Sequence, residues 1–295
     1  MKELVIISGK GGSGKTCLCA AFASLAQNRV LCDADVDAAD LHLLMNPKIK
    51  QRTDFMGGGL AEINPEKCTQ CGLCQELCRF DAVSDDFKID PIGCEGCGVC
   101  VDLCPEQAIA FPIQKCGEWF ISDTRFGQMV HARLGIAEEN SGKLVTVVRK
   151  QAAQLAAETD ADLIITDGPP GIGCPVIASV GGAYAVLIVA EPTVSGLHDM
   201  ERVAQLAAHF KIPAWVCVNK YDLNMEQTRA IERLAQQHAM TVMGRVPFDP
   251  SFTKAMIQRQ TVIEYDSRAA ASIAAVAVWD NILKTMKNES EPENN

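Results

Sequence analysis

The spacing of the cysteines constrains the possible folds of this chain more than any other feature. Eight of the 14 cysteines fall in two runs, each with the spacing C-x2-C-x2-C-x3-C. The first run comprises Cys68, Cys71, Cys74 and Cys78, and the second comprises Cys94, Cys97, Cys100 and Cys104. Cysteines at this density form either a disulfide framework or metal sites, and the cellular compartment distinguishes the two.

Composition and hydropathy predict a cytoplasmic protein. No stretch approaches 18 consecutive apolar residues, and Met1 leads directly into the apolar run 4–7 without a secretory leader. The net charge of −10 argues against a nucleic-acid partner held on a basic face. The acidic tail 288–295 has a disordered composition and offers no basic amphipathic helix for a membrane. In a reducing cytoplasm, the two runs then predict metal or redox chemistry.

Both runs match the pattern of ferredoxins that carry two [4Fe–4S] clusters. In that pattern the fourth cysteine of each run ligates the other cluster. One cluster is then expected on Cys68, Cys71, Cys74 and Cys104, and the other on Cys94, Cys97, Cys100 and Cys78. Zinc is the alternative, but zinc modules usually show separated C-x2-C pairs instead of runs of four.

The cysteine-rich segment has the size and charge of a separate module. Residues 60–115 include ten acidic and four basic residues, which favours a low reduction potential and a basic docking partner. Three glycines at 57–59 predict a flexible entry to it. Arg79 follows the first run where Pro105 follows the second, a departure that removes no ligand. We therefore expect an inserted α+β, bacterial-ferredoxin-like domain at 60–115.

A glycine-rich stretch near the N terminus predicts a phosphate-binding loop. Residues 9–16 follow a β-branched apolar run at 3–8 and precede an Ala- and Leu-rich helical segment that ends near Asn28. Strand, G-x4-G-K-[ST] and helix are the context of a P-loop. Its backbone N–H groups would surround the phosphates at Gly11, Gly12, Ser13 and Gly14. Lys15 would contact the β- and γ-phosphates, and Thr16 would ligate Mg²⁺.

The flanking sequence predicts one discontinuous α/β domain, over 1–59 and 116–287. Strands are expected at 30–33, 162–167, 184–190, 213–218 and 240–246, and helices at 141–158, 195–210, 224–237 and 268–287. This alternation implies a parallel sheet with helices on both faces and a ligand site at the carboxyl ends of the strands. Asp33 and Asp167 end two of the strands, where an aspartate can hold Mg²⁺ through water.

Residues 10–16 resemble the deviant Walker A motif of the MinD/Mrp and nitrogenase-iron-protein class of P-loop ATPases, which has an extra lysine early in the loop. Further similar stretches lie at 118–120, 124–127, 131–135, 139–143, 167–175, 191–199, 219–222 and 247–249. Nearly the whole chain resembles MinD-superfamily ATPases that carry an inserted ferredoxin domain.

The resemblance implies roles for individual residues. ATP would bind in a homodimer or a paralogous heterodimer formed through the nucleotide face, with Lys10 contacting the partner's nucleotide. Asp35 would orient or deprotonate the attacking water, and Asp167 would sense the γ-phosphate and Mg²⁺. Asn219 would contact the purine base, in a pocket lined by Pro247 and Asp249. Since Asn-Lys-x-Asp at 219–222 also occurs in GTPases, GTP stays open as the minor alternative.

The resemblance also implies a function, with two alternatives. The favoured function is ATP hydrolysis coupled to electron transfer, in support of metallocluster assembly or a redox partner protein. One alternative is an Mrp-type carrier or scaffold for iron–sulfur or metal clusters, which would use Cys174, with Cys116 as a loosely plausible second thiolate. The other, and weakest, is a MinD- or ParA-like spatial regulator.

Overall fold

The buried apolar runs of the sequence form a nine-stranded sheet with helices on both faces. A computed structural model describes residues 1–135 and 141–288. The strands are β1 (Lys2–Ser8), β2 (Arg29–Asp33), β3 (Lys48–Gly59), β4 (Glu62–Ile63), β5 (Ile109–Ala110), β6 (Ile113–Thr124), β7 (Gly127–Leu134), β8 (Leu163–Pro170), β9 (Ala185–Ala190), β10 (Ala214–Asn219) and β11 (Thr241–Val246). The helices are α1 (Lys15–Leu25), α2 (Leu41–Met45), α3 (Leu73–Leu77), α4 (Val99–Asp102), α5 (Ser141–Glu158), α6 (Cys174–Val180), α7 (Val194–His209), α8 (Met225–Gln237), α9 (Ser251–Ile257), α10 (Val262–Tyr265) and α11 (Ala270–Asn288).

The strand order is β11-β10-β9-β1-β8-β2-β7-β6-β3. The six strands from β11 to β2, and β7 beside β2, pair in parallel, which confirms the predicted parallel sheet. In this register Asp167 lies beside Ile6 on one side and Asp33 on the other. The carboxyl ends of β1, β2 and β8 therefore meet at one edge, where the loop after β1 begins.

Alternate residues of each strand pack into different cores. Leu4 and Ile6 point into a core that includes Phe22 and Trp279, whereas Val5 and Ile7 point into the core on the other face. The Phe22 and Trp279 rings stack with their centroids 5.3 Å apart. Among the described residues, no helix is long and apolar enough to cross a bilayer.

The chain divides into two compact units. The larger comprises residues 1–52, 120–132 and 141–295, and the smaller comprises 53–119 and 133–140. The smaller unit contains the whole of the expected insertion at 60–115 and extends beyond it at both ends. Of the acidic tail expected at 288–295, Asn288 is the last residue of α11, and the other residues lie outside the described ranges.

The smaller unit repeats its backbone conformation at a constant offset of 26 residues. Positive φ angles recur in the pairs Gln70 and Gly96, Gly72 and Gly98, and Asp81 and Gln107. Helices α3 and α4 begin directly after the glycines of the second pair. Antiparallel pairing joins Ile63 to Ile109 and, at the same offset in the other half, Ile89 to Val83. The two halves are thus related by an approximate internal two-fold symmetry.

The glycines at 57–59 differ from expectation. They do not form a flexible entry but are the last three residues of β3. A Cβ on Gly57 would lie 2.4 Å from the Phe55 ring, and one on Gly59 would lie 2.5 Å from the Phe111 ring. These glycines therefore allow aromatic rings to pack directly on the strand backbone.

Candidate functional site

The loop between β1 and α1 has the conformation that its glycines allow. Gly12 and Gly14 have φ angles of +79° and +90°, which residues with a Cβ adopt only under strain. Within the described residues, nothing lies within 4 Å of a Cβ added to Gly11 or Gly12. The Ser13 hydroxyl is buried and has no hydrogen-bond partner in this same part of the chain. The loop thus presents open backbone and an unpaired hydroxyl, as an anion site at a helix N-terminus requires.

Asn219 stabilises the backbone of the loop through a hydrogen bond. Its Nδ2 donates a hydrogen bond to the Ser13 carbonyl at 2.7 Å, and its Oδ1 accepts one from the Lys220 backbone at 3.0 Å. A Cβ on Gly14 would lie 2.3 Å from Asn219 Nδ2. The residue expected to contact the base is therefore also a buried brace for the P-loop backbone.

Lys15 lies between two buried carboxylates. Its Nζ is 2.9 Å from Asp35 Oδ2 and 3.2 Å from Asp167 Oδ1, and its side chain is 7% exposed. Burial lowers the pKa of Lys15, but attraction to Asp167 and Asp35 outweighs this effect, so the pKa is raised. One charged cluster therefore contains Lys15, Asp35 and Asp167, each of which the sequence predicts separately as a site residue.

Asp33 positions the segment that carries Asp35. Its carboxylate accepts hydrogen bonds from the backbone N–H groups of Asp35 at 3.3 Å and Leu41 at 3.2 Å. Burial, and then repulsion from Asp167, raises the pKa of Asp33 well above its usual value. The buried residue at the end of β2 thus holds both ends of the loop that leads to α2.

The oxygens around Lys15 fit a divalent cation. Asp167 Oδ2 is buried and, among the described residues, has no hydrogen-bond partner. Burial raises the pKa of Asp167 against the pull of Lys15. A hydroxyl at Thr16 and unpaired carboxylate oxygen beside it are the hard ligands that Mg²⁺ prefers, with water completing its shell.

Lys10 is paired within its own chain. Its Nζ lies 3.0 Å from Glu191 Oε2 and 3.3 Å from Thr193 Oγ1. The other oxygen of Glu191 lies 2.8 Å from Lys220 Nζ, which also donates to the Gly12 carbonyl at 3.0 Å. Burial raises the pKa of Glu191, but the two lysines outweigh it and lower the pKa. Glu191 therefore joins both lysines beside the P-loop.

Sequence reasoning assigned no role to Glu191 or Lys220. Glu191 directly follows the buried strand β9. It therefore lies at the edge of the sheet where the carboxyl ends of the parallel strands meet. The sequence analysis selected Asp33 and Asp167 because each is an acid at the end of a strand. The same criterion, applied to β9, would also have selected Glu191.

The 247–249 segment lies against the Asn-Lys-x-Asp segment. The Phe248 backbone N–H donates to Asp222 Oδ1 at 2.7 Å. Asp249 accepts hydrogen bonds from Ser251 at 2.8 Å and Ala271 at 3.3 Å, and the bond from Ser251 lowers its pKa. Asp249 thus anchors the start of α9 and α11 and fixes the backbone that follows Pro247.

Five cysteines from both runs line one recess in the smaller unit. They are Cys68, Cys71 and Cys74 of the first run and Cys100 and Cys104 of the second. The remaining lining is largely apolar. Within the described ranges, no three Cys, His, Asp or Glu side chains converge on a single-ion site. Cysteines from both runs thus lie around one largely apolar recess.

Two local effects act on Cys100 and Cys78, which the sequence assigns to the other cluster. Burial raises the pKa of Cys100, and repulsion from Cys94 and Cys97 adds to the effect. The Ala82 backbone N–H donates to Cys78 Sγ at 3.4 Å, as that of Ala108 donates to Cys104 Sγ at 3.3 Å. Cys78 and Cys104 thus accept equivalent backbone hydrogen bonds.

Cys174 and Cys116 are in different surroundings. Cys174 is exposed at the first position of α6, and a Cβ on Gly142 would lie 3.3 Å from its Cβ. Cys116 is 1% exposed, within β6, and donates to the Gln114 carbonyl at 3.6 Å. Cys174 belongs to the larger unit and Cys116 to the smaller.

The chain is similar to known proteins in sequence and in fold. A protein of Methanocaldococcus jannaschii named uncharacterized protein MJ0578 is 32% identical over 274 residues, which are 92% of this chain and 93% of that protein. The septum site-determining protein MinD of Pyrococcus horikoshii OT3, solved with Mg-ADP, is 15% identical with a TM-score of 0.60 and 99% coverage of both chains. The MinC:MinD cell division complex of Aquifex aeolicus gives 18% identity, a TM-score of 0.57, and coverage of 100% of this chain and 99% of that one.

A family model extends this similarity over most of the sequence. The model of the CobQ/CobB/MinD/ParA nucleotide-binding domain matches residues 4–262. The solved structures share the fold of this chain. The chain therefore belongs to the CobQ/CobB/MinD/ParA family of nucleotide-binding domains.

Proposed function

We propose that this chain binds and hydrolyses ATP and couples nucleotide-driven switching of a dimer to one-electron transfer, in support of metallocluster assembly or a redox partner protein. The observation that carries the proposal is the recess lined by three cysteines of the first run together with Cys100 and Cys104 of the second. Three thiols of one run with the last thiol of the other are the ligand pattern of a protein with two [4Fe–4S] clusters. It occurs in a chain that also has a P-loop site.

The Lys15 cluster supports ATP hydrolysis. Lys15 has two carboxylate partners, Asp35 and Asp167, and arriving phosphates would compete for its ammonium group. Asp35 would then be free to orient the attacking water, while Asp167 and Thr16 hold Mg²⁺. Positioning and charge neutralisation of this kind supply most of the rate in phosphoryl transfer.

The eight thiols support electron transfer. When bound, a [4Fe–4S] cluster supplies a one-electron couple, and all-cysteine ligation leaves no open position for a substrate. The chain contributes the crossed thiolates and the N–H donors of Ala82 and Ala108. These residues hold permanent centres better than a labile cargo.

Relatives with the same fold support the dimer. MinD of Pyrococcus horikoshii was solved with Mg-ADP, and MinD of Aquifex aeolicus was solved in a complex with MinC. In this chain, Lys10 is 34% exposed and pairs with Glu191. We propose that Lys10 exchanges Glu191 for the nucleotide of a second subunit, so that ATP links two copies through the nucleotide face.

The test is an anaerobic redox titration followed by EPR. The protein is titrated without nucleotide, with MgADP, and with MgATP in an Asp35→Asn variant that slows hydrolysis. A tenfold change in nucleotide affinity on reduction corresponds to 59 mV for one electron, and linkage requires the same shift with MgATP. The exposed Asp37, two residues away, supplies the control Asp37→Asn, which keeps normal hydrolysis.

Two results would contradict the proposal. Equal potentials in all three nucleotide states would remove the coupling. The absence of a reducible cubane signal in iron-replete protein would remove the clusters themselves.

Cys174 supports a second candidate function. Its thiol is exposed at the start of α6, directly after the segment that follows Asp167. A metal or cluster carrier would bind its cargo there, between two subunits. Cys174→Ser would then abolish cargo transfer but leave both reduction potentials unchanged, whereas the electron-transfer function predicts no loss in this variant.

A further inference from the structure

The three residues that define the Asn-Lys-x-Asp segment at 219–222 all bind partners within this chain. Asn219 and Lys220 each donate a hydrogen bond to a backbone carbonyl of the P-loop, at 2.7 and 3.0 Å. Asp222 Oδ1 accepts a hydrogen bond from the Phe248 backbone N–H at 2.7 Å. Two side chains of the segment thus hold the P-loop, and the third holds the stretch of chain that follows β11.

The register of β10 and β11 brings Asp222 to its partner. Asn219 ends β10 and Val246 ends β11, and the two residues pair in the sheet. After Asn219 the chain turns into a short 3₁₀ helix at Tyr221–Leu223. Asp222 lies three residues beyond the end of β10, and Phe248 lies two residues beyond the end of β11. The parallel pairing of the two strands therefore places the carboxylate beside the backbone that it holds.

A second carboxylate fixes the same stretch of chain. Asp249 Oδ1 accepts a hydrogen bond from the Ser251 N–H at 2.8 Å, and its Oδ2 accepts one from the Ala271 N–H at 3.3 Å. Hydrogen bonds between carboxylates and backbone groups thus hold two successive residues of the segment 247–249. A binding surface that is fixed in advance loses less conformational freedom when its ligand arrives.

The hydrogen bond to Asp222 Oδ1 bears on the choice of purine. Guanine presents two donors side by side, the N1–H and the amino group at C2, and a carboxylate pairs with them through both of its oxygens. One oxygen of Asp222 is already bound to the Phe248 N–H. Guanine would have to compete for that oxygen and would loosen the backbone of the pocket. Adenine has no proton on N1 and no amino group at C2, so it makes no such demand.

We propose that Asp222 is a positioning residue, which holds the Phe248 backbone so that the segment 247–249 receives adenine, and that Asp222 does not contact the base. This inference rests on the proposed function and deepens it, because it gives a physical reason for the choice of adenine over guanine. The Asn-Lys-x-Asp segment then serves as a scaffold, which joins the carboxyl end of β10 to the P-loop and to the base pocket.

The test is calorimetric titration of the iron-replete full chain with MgADP, MgGDP and Mg-xanthosine diphosphate. Wild-type protein should bind MgADP at least tenfold more tightly than MgGDP. Asp222→Asn keeps an oxygen acceptor for the Phe248 N–H, so its affinity for MgADP should stay within about twofold of the wild type. Asp222→Ala removes the acceptor and should weaken MgADP binding about tenfold. Hydrogen exchange of the Phe248 amide should be slow in Asp222→Asn and fast in Asp222→Ala.

Asp266 supplies the matched control. Its Oδ1 also accepts a hydrogen bond from a backbone N–H, that of Arg268 at 2.9 Å. Asp266→Ala should lower the urea midpoint of unfolding, as Asp222→Ala does, but should leave the affinity for MgADP unchanged. A purely structural role of Asp222 would instead leave the affinity for MgADP unchanged in Asp222→Ala as well.

A carboxylate that reads the base predicts different results. Xanthine has a carbonyl at C2, to which the amide of an asparagine can donate, so Asp222→Asn would then lose MgGDP and gain Mg-xanthosine diphosphate. That exchange would overturn the inference, as would equal affinities of the wild type for MgADP and MgGDP, or equal losses of MgADP affinity in Asp222→Asn and Asp222→Ala. Asp222→Asn alone decides the question if Asp222→Ala does not fold. The proposed function fails on other evidence, equal reduction potentials in all nucleotide states or no cubane signal, and neither depends on these variants.

Discussion

The nucleotide site and the cysteine-rich unit are stabilised in different ways. Around the P-loop, charged groups pair with one another and rest on a sheet with a core on each face. Within 60–115, the buried apolar residues are few: Ala61, Ala82, Val83, Ala108 and Ile109. Helices α3 and α4 have no buried residue. The first region is organised by its own side chains, whereas the second has little apolar core of its own.

Removal of iron should produce the largest effect. We expect the segment 60–115 to unfold when the protein is depleted of iron, because its thiols would surround an empty recess and little apolar packing would remain. Structural metal sites in small domains contribute on the order of 10 kcal/mol. Limited proteolysis should then cut within 60–115, while the larger unit still binds MgATP. Full protection of the segment in iron-free protein would mean that its own core suffices.

The second prediction concerns the buried charges. Lys15→Met leaves Asp35 and Asp167 without their cation, and loss of one partner from a buried pair costs about 3–5 kcal/mol. We expect a fall of that size in the free energy of unfolding of the larger unit, measured in urea. The matched control is Lys10→Met, whose partly exposed pair with Glu191 contributes at most about 1 kcal/mol. Equal losses of unfolding free energy in Lys15→Met and Lys10→Met would contradict this prediction, because the buried cluster would then stabilise the fold no more than a partly exposed ion pair does.

The third prediction uses pH to separate the two units. All five histidines belong to the larger unit. Burial, with a smaller contribution from His42, lowers the pKa of His131 from 6.5 to about 4. As the pH falls, His131 therefore binds a proton in the unfolded chain before it does so in the folded chain. The contribution of neutral His131 to the free energy of unfolding is complete above pH 6.5 and is lost as the pH falls towards 4. The loss is at most about 3 kcal/mol.

This pH dependence can be measured directly. The urea midpoint of the larger unit should fall between pH 6.5 and 4. His131→Phe, which keeps a ring beside Phe120, should flatten the profile. An unchanged slope in His131→Phe would assign the dependence to the carboxylates around Lys15.

The smallest effect is expected from the brace behind the P-loop. Asn219→Ala removes the hydrogen bond to Ser13 and should cost about 1–2 kcal/mol in stability together with a clear loss of nucleotide affinity. Asn224→Ala removes the N-cap of α8 and should cost about 1 kcal/mol with no change in affinity. Calorimetric titration with MgADP distinguishes the two. Normal affinity in Asn219→Ala would mean that the loop holds its shape unaided.

The sequence predicts the central sheet because its strands are short, apolar and β-branched. The strand at 162–167 is confirmed, and β8 continues beyond it to Pro170. The strands β3, β6 and β7 were not predicted. Six of the first seven residues of β3 are charged or polar, and the other, Ile49, is 56% exposed, so the strand shows no apolar alternation. An edge strand that leaves one face in water lacks the pattern on which such predictions depend.

The candidate site also has parts that the sequence predicts and parts that it does not. Local motifs identify the P-loop and the two cysteine runs, because their chemistry requires fixed spacing over a few residues. The partners Lys10 and Glu191 lie 181 positions apart, and only the sheet brings them together.

The crossed recess also affects the order of events during synthesis. Cys104 leaves the ribosome 30 residues after Cys74, which takes about 2–6 s at roughly 5–20 residues per second. Throughout that interval, the first three thiols lack their fourth partner and are open to oxidation or to a stray metal ion. Under the proposed function, cluster loading therefore waits until both halves have been translated, and slow synthesis of the segment between the runs would lengthen the period of vulnerability.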